Sequence, residues 1–244
     1  MNDLHRTARI TGILYLVMSA LMVFGYLYVP ARFLASDSAA ETARAIASGA
    51  TMYRLSILFS LLAQMLFVFV VLNLYEIFQD TDRKLARLMT TLVCIGVAAE
   101  LVNVANRMMP LSLANGGESL SGLTRAQLEA LAMASFRSSG NVGRVLTAIW
   151  GLWLLPFGRL TIKSGYFPRV LGWALLAAGG AYMVTCAVSI AAPSQLPWVS
   201  RVVTPLYFGE LPIVFWLALF GARTRQGAAS SSALREARPL ATQE

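Results

Sequence analysis

Residues 88–110 read LMTTLVCIGVAAELVNVANRMMP. The run is mostly apolar, and as a helix rising 1.5 Å per residue it is long enough to cross a hydrocarbon core of about 30 Å. Within it Glu100, Asn103 and Arg107 recur at i, i+3 and i+7, which places them on one helical stripe. Charges at such depth cost several kcal/mol, to order of magnitude, unless they are paired or hydrated. By rise alone Glu100 and Arg107 stand about 10 Å apart. Neither neutralises the other directly, so the stripe needs partners from other helices, with Asn103 placed to relay a hydrogen bond between the two.

The rest of the chain has the same character. Of 244 residues, 57% are hydrophobic and 13% charged, where a soluble domain carries about 25% charged residues. The mean hydropathy is +0.62. Apolar runs at 10–29, 55–78, 88–109, 142–160, 168–191 and 202–220 predict an all-α, polytopic integral membrane bundle of six transmembrane helices occupying residues 1–222. A disordered polar tail is expected over 223–244. The runs are too long for barrel strands and do not alternate. Pro30 and Pro110 are expected to stop the first and third spans, and Pro156 and Pro212 to bend the fourth and sixth. Ala174, Ala178 and Ala181, continued by Thr185, form a small-residue stripe that lets a neighbouring helix come close.

The connections at 79–87 and 161–167 are short; those at 31–54 and 111–141 are long. Twelve of the twenty basic residues fall on the side of the short loops and the termini. That asymmetry predicts both termini in the cytoplasm. The net charge of +8 is thereby explained by topology and by anionic headgroups, and nucleic acid is not an expected partner. Each long outer loop carries a capping box, Ser38 to Glu41 and Thr124 to Gln127. After the second, Leu128, Leu131, Ala132 and Phe136 share a side, predicting an amphipathic helix on the outer surface that either seals the bundle or covers a pocket. The stretch 111–122 reads as a flexible lead-in to it. Cys94 and Cys186 read as small buried hydrophobes. They differ in depth by roughly 18 Å, far beyond the roughly 7 Å a disulfide allows, so two free thiols are expected.

The chemistry inventory is short. His5 is the only histidine and precedes the first span. No His/Cys/carboxylate cluster suits zinc, no His-based triad is available, and no glycine-rich phosphate loop occurs. No aspartate lies in a span, which excludes a paired-aspartate intramembrane protease. No cofactor is expected; a lipid-modifying enzyme would need a nucleophile or a metal, and the inventory leans against one without deciding the question. The candidate ligand-binding residues are Arg54, Glu100, Asn103, Arg107, Arg144 and Glu210, expected to converge in the outer half of the bundle. Three arginines against two glutamates favour an anionic guest, such as a carboxylate, a phosphate or a lipid headgroup. Arg54 and Arg144 also read as interfacial anchors. Pro212 adds to Glu210, because it cannot donate to the carbonyl of Phe208 and leaves an acceptor near the carboxylate. Tyr75 and Glu76 read as an interfacial anchor, and the tryptophans as packing and belts.

Several motifs bear a resemblance. They are Arg9-Ile10-Thr11-Gly12-Ile13-Leu14-Tyr15, Tyr53-Arg54-Leu55, Leu74-Tyr75-Glu76, Ser164-Gly165-Tyr166-Phe167-Pro168-Arg169-Val170-Leu171-Gly172, and Gly209-Glu210-Leu211-Pro212 followed by Trp216-Leu217. Together they resemble a bacterial family of multi-span membrane proteins known as a domain of unknown function, DUF4386, over about residues 6–220. Glu100 has no assigned place in that pattern. The resemblance implies a helical membrane bundle in the bacterial inner membrane, draws attention to Arg54 and Glu210, and implies no activity. Two readings stay open. In one, the chain binds or transports a small anionic ligand or lipid headgroup at the polar site. In the other, it is a structural or regulatory protein acting through a membrane protein partner, and the polar residues only bridge helices.

Overall fold

A computed structural model of the protein describes residues 3–33, 38–115 and 120–222. The expected tail at 223–244 lies outside them. Six helical stretches are long and apolar enough to cross a membrane: Asp3–Phe33, Ala50–Phe78, Arg83–Asn115, Arg125–Ser164, Arg169–Ala191 and Pro193–Phe220. Among the described residues there is no strand. Large apolar side chains such as Phe69, Val102, Val170 and Leu219 cover the outside of the bundle. That is the surface of a protein solvated by acyl chains.

The first span is α1 (Asp3–Met22), a π-helical turn (Val23–Tyr28) and α2 (Val29–Phe33). Pro30 does not stop it. The wider turn carries the helix through the proline, and the span runs on to Phe33. A short helix α3 (Ala39–Ser48) follows, capped by Ser38, whose Oγ accepts from the Glu41 N–H. The second span is α4 (Ala50–Phe78). The third is α5 (Arg83–Asn106) and α6 (Met108–Asn115). Pro110 sits in the first turn of α6 and breaks the helix one turn earlier, because it cannot donate to the carbonyl of Asn106, the last residue of α5. Residues 111–115, expected as flexible lead-in, are therefore helical, and 116–119 lie outside the described residues.

α7 (Arg125–Ser164) is one unbroken helix of 40 residues, about 60 Å long. The segment after Thr124 is not a separate surface helix, as expected from the sequence, but the first turns of the fourth span. Thr124 and Gln127 form the predicted reciprocal cap: Thr124 N–H donates to Gln127 Oε1 at 2.8 Å, and Gln127 N–H to Thr124 Oγ1 at 3.3 Å. Ala132 is buried against α3 and α6, whereas Leu131 points outward. Pro156 lies inside α7 without ending it. The helix stops at Gly165, whose φ of +70° suits the left-handed residue that closes helix C-termini. α8 (Arg169–Ala191) then starts behind Pro168.

A short turn (Pro193–Gln195), α9 (Leu196–Tyr207), a second tight turn (Phe208–Glu210) and α10 (Leu211–Phe220) complete the bundle. Pro212 sits in the first turn of α10, where its missing N–H is harmless. The Phe208 carbonyl is not the open acceptor expected from the sequence, because the tight turn lets the Leu211 N–H reach it.

The core is a chain of rings. Phe67 meets Tyr15, Trp150 and Trp153; Trp153 stacks on Phe157, and Phe157 meets Phe78, which meets Phe167. Two helix pairs approach at glycines. A Cβ on Gly12 would overlap the backbone of Ala218, fixing α1 against α10. Gly151 and Gly179 face one another across α7 and α8, as do Gly158, seven residues later in α7, and Gly172, seven residues earlier in α8; added Cβ atoms would stand 2.6–2.8 Å from the opposite carbonyls. The alanine stripe of α8 performs its predicted packing role, receiving Gly209 at Ala174 and Ala178. Both cysteines are free, and Cys186 is buried as expected, but Cys94 faces outward.

At the end with the short connections, Asp82 caps α5 through the Leu85 N–H at 3.1 Å and accepts from Lys163 Nζ of α7 at 2.9 Å. The lysine, and then the backbone N–H, hold its carboxyl below the usual carboxylate range. A depressed carboxyl contributes stability that is present above its unfolded value and lost as pH falls through its folded value. Thermal unfolding in detergent is thus expected to shift downward on acidification below the ordinary aspartate range, and less so in Asp82→Asn; equal acid sensitivity in the two proteins refutes the linkage.

Candidate functional site

The polar stripe of α5 meets α4 and the π-helical turn in the half of the bundle toward the long connections. Its residues are buried: Glu100 and Asn103 are 3% exposed and Arg107 is 6% exposed. Asn103 Nδ2 donates to Glu100 Oε1 at 3.0 Å. A carboxylate only accepts, so this bond fixes the amide and turns Asn103 Oδ1 away from Glu100.

Arg107 crosses to two other helices. Nη1 donates to Ser60 Oγ at 2.9 Å, and Nη2 donates to Ser56 Oγ at 3.1 Å and to the Gly25 carbonyl at 2.8 Å. Its guanidinium also lies 5.2 Å from the centre of the Tyr26 ring, within cation–π range. Both serines give their own protons to their helix, to the carbonyls of Tyr53 and Ser56, so they can only accept from the arginine. The Gly25 carbonyl is available for a specific reason. In the π-helical turn the Val29 N–H reaches back to Phe24, and the next donor in that register falls on Pro30, which has none. Pro30, read in the sequence as a stop, instead frees the acceptor that holds Arg107. Gly25 must also be small: a Cβ there would sit 2.5 Å from Ser60 Oγ.

No carboxylate among the described residues lies within ion-pairing distance of Arg107. Three of its five N–H groups are used by neutral acceptors, leaving a charge and two donors. Arg107 is among the residues that line a cavity of about 470 Å³. Glu100, Asn103, Tyr53 and Gln64 share its inner wall, and Gly140, Gly143 and Arg144 of α7 form the other side. Three buried polar atoms on the inner wall have no hydrogen-bond partner among the described residues: Tyr53 Oη, Gln64 Oε1 and Asn103 Oδ1.

Four of the six predicted residues are therefore brought together: Glu100, Asn103, Arg107 and Arg144. Arg144 is the outermost, exposed and tied to Asn141 Oδ1 of its own helix at 2.5 Å. Arg54 does not join them. Tyr53 turns inward, and one residue on, a helix has rotated by about 100°, which leaves Arg54 exposed. Glu210 does not join them either. It accepts from Tyr15 Oη at 3.3 Å, on the face of α1 that packs on α10. Tyr15 lies eight residues before Val23 of the cavity wall, about 12 Å along the helix. The sequence reading overlooked Tyr53, Ser56, Ser60 and Gln64, although they recur at i+3 and i+4 along an apolar run and so mark a polar stripe of α4. Gly25 and Tyr26 carried no comparable signal.

The fold and site together define a polytopic helical membrane protein with a charged cavity in one half of its bundle. Within that class, the profile of the family described as a domain of unknown function, DUF4386, matches residues 10–221, and the chain belongs to that family. No curated protein and no solved structure matches it.

Proposed function

We propose that the protein binds a small anionic group, carried by a lipid headgroup or by a free anion, in the cavity at Arg107. One observation carries this reading: a buried guanidinium without a carboxylate partner lines a cavity of about 470 Å³ with donors to spare. A charge in a membrane interior without an ion-pair partner is costly and usually serves a task, and a guanidinium suits the oxygens of carboxylates and phosphates. Arg144 at the mouth adds a second positive charge. The distribution of basic residues supports cytoplasmic termini and a cavity in the outer leaflet; membership of the family fits the cytoplasmic membrane of a bacterium.

A second reading has its own observation: Arg107 already ties the first three spans together, which is what a purely structural bridge would do. Native mass spectrometry of the mildly solubilised protein tests the first reading, with inorganic phosphate and an acidic phospholipid as separate probes. A retained adduct is expected in the wild type and not in Gly143→Phe. That side chain points into space where a Cβ meets nothing within 4 Å, so it fills the cavity without disturbing Arg107. Absence of any adduct, or equal retention by the filled variant, overturns the proposal.

A further inference from the structure

Resting on the anion-binding reading, we infer that the occupant is a phospholipid headgroup bearing both a phosphate and a primary ammonium, entering from the membrane between α1 and α7. The wall has two chemical poles. At one, the guanidinium of Arg107 and the unpartnered Tyr53 hydroxyl offer hydrogen-bond donors. At the other stand three acceptors: the Glu100 carboxylate, and the unpartnered carbonyl oxygens of Asn103 and Gln64. Tyr53 is 0%, Gln64 1% and Asn103 3% exposed, so bulk solvent does not serve them. A simple anion satisfies only the first pole; it leaves both carbonyls without donors and the carboxylate with only the bonds it takes from Asn103 and Tyr26. An ammonium with three N–H groups matches the second pole in charge and in number. Both poles line the same cavity of about 470 Å³.

The entrance favours a lipid over its water-soluble counterpart. Val23 and Leu27, in the π-helical turn that continues α1, form the first span's side of the mouth, and both are outward-facing apolar side chains. Opposite them are Gly140 and Gly143, where an added Cβ would meet nothing within 4 Å. Two glycines inside a helix each cost roughly 1 kcal/mol relative to alanine, and here no neighbouring helix requires their smallness. Neither α1 nor the π-helical turn packs appreciably on α7. The gap therefore opens sideways between two spans, with an apolar rim on which acyl chains gain contacts that a free headgroup cannot make.

Affinity for the purified protein in detergent, measured by native mass spectrometry, separates the components. Diacyl phosphatidylethanolamine is expected to bind most tightly. Phosphatidylcholine, whose nitrogen has no N–H, and phosphatidylglycerol, which has no cation, are expected to bind about ten- to a hundredfold more weakly, the worth of one charge-assisted hydrogen bond. Glu100→Gln is expected to remove most of the preference for phosphatidylethanolamine over phosphatidylglycerol. Gly140→Leu, which narrows the mouth without touching either pole, is expected to weaken all three lipids. Equal binding of the three lipids overturns the ammonium assignment, and binding of soluble phosphoethanolamine as tight as the diacyl lipid overturns lateral entry. Retention of inorganic phosphate without retention of any lipid refutes this inference and leaves the anion-binding reading standing; retention of none of the probes refutes both.

Discussion

Gly12→Ala is expected to lower the stability of the bundle by about 3 kcal/mol or more, at the upper end of what overpacking produces. The added methyl group would overlap the backbone nitrogen of Ala218 and stand 2.5 Å from the carbonyl carbon of Leu217. These are backbone atoms, so no rotamer change relieves the clash and α1 and α10 must move apart. Within lipid, association of helices rests on close van der Waals packing rather than on exclusion of water, so a gap at this point loses the interaction that seats α10. The expected readout is a lower thermal unfolding midpoint in detergent and a smaller monodisperse fraction on size exclusion. Gly180→Ala is the control. An added Cβ there meets nothing within 4 Å, and alanine is the better helix former, so that variant is expected to be as stable as the wild type or more so. Equal behaviour of the two variants contradicts the packing of α1 on α10.

Arg107→Met is expected to have the largest effect on binding, and it separates the two functional readings. The substitution keeps most of the side-chain volume and removes the charge. It leaves the Gly25 carbonyl without its partner, a loss of about 1–3 kcal/mol. It also relieves a buried charge that no carboxylate contacts as an ion pair, which acts in the opposite direction with similar size. Stability of the ligand-free protein is therefore expected to change by no more than about 1 kcal/mol. Affinity for an anionic probe is expected to fall by about 2–4 kcal/mol, roughly thirty- to a thousandfold, because a desolvated guanidinium in contact with the anion is removed. Thermal-shift titration measures both quantities in one experiment. A strongly destabilised variant whose wild-type parent shows no response to any anion points to the structural bridge instead.

The contrast between Arg107 and Glu210 shows how far the sequence carried the site. A stripe at i, i+3 and i+7 stays together whatever the rest of the fold does, because helical geometry alone holds it. Glu100, Asn103 and Arg107 were legible for that reason, and the stripe at 53, 56, 60 and 64 could have been read in the same way. Glu210 and Arg54 were grouped with them on depth and charge. Depth says nothing about which face of which helix a residue occupies: Glu210 meets Tyr15 on the α10 side of α1, and Arg54 turns outward one residue after Tyr53. The proline readings divide on similar lines. Pro212 opens α10 after a break in the sixth span, and Pro110 breaks the third span one turn before itself. Pro30 acts through the π-helical register around it, which no local pattern foretold.

The sequence by itself determined the number of spans, the helical class, the two capped starts at Ser38 and Thr124, and the presence of a charged stripe at membrane depth. Each follows from local composition and period, since a long apolar run in lipid must satisfy its own backbone hydrogen bonds and can do so only as a helix. Tertiary structure alone decided that Arg107 would be held by neutral acceptors, that α1 and α7 would stand apart, and that three buried polar atoms would share one cavity without partners among the described residues. Those outcomes depend on how helices rotate and approach one another, and they are set by contacts between residues as far apart in the chain as Gly25 and Arg107.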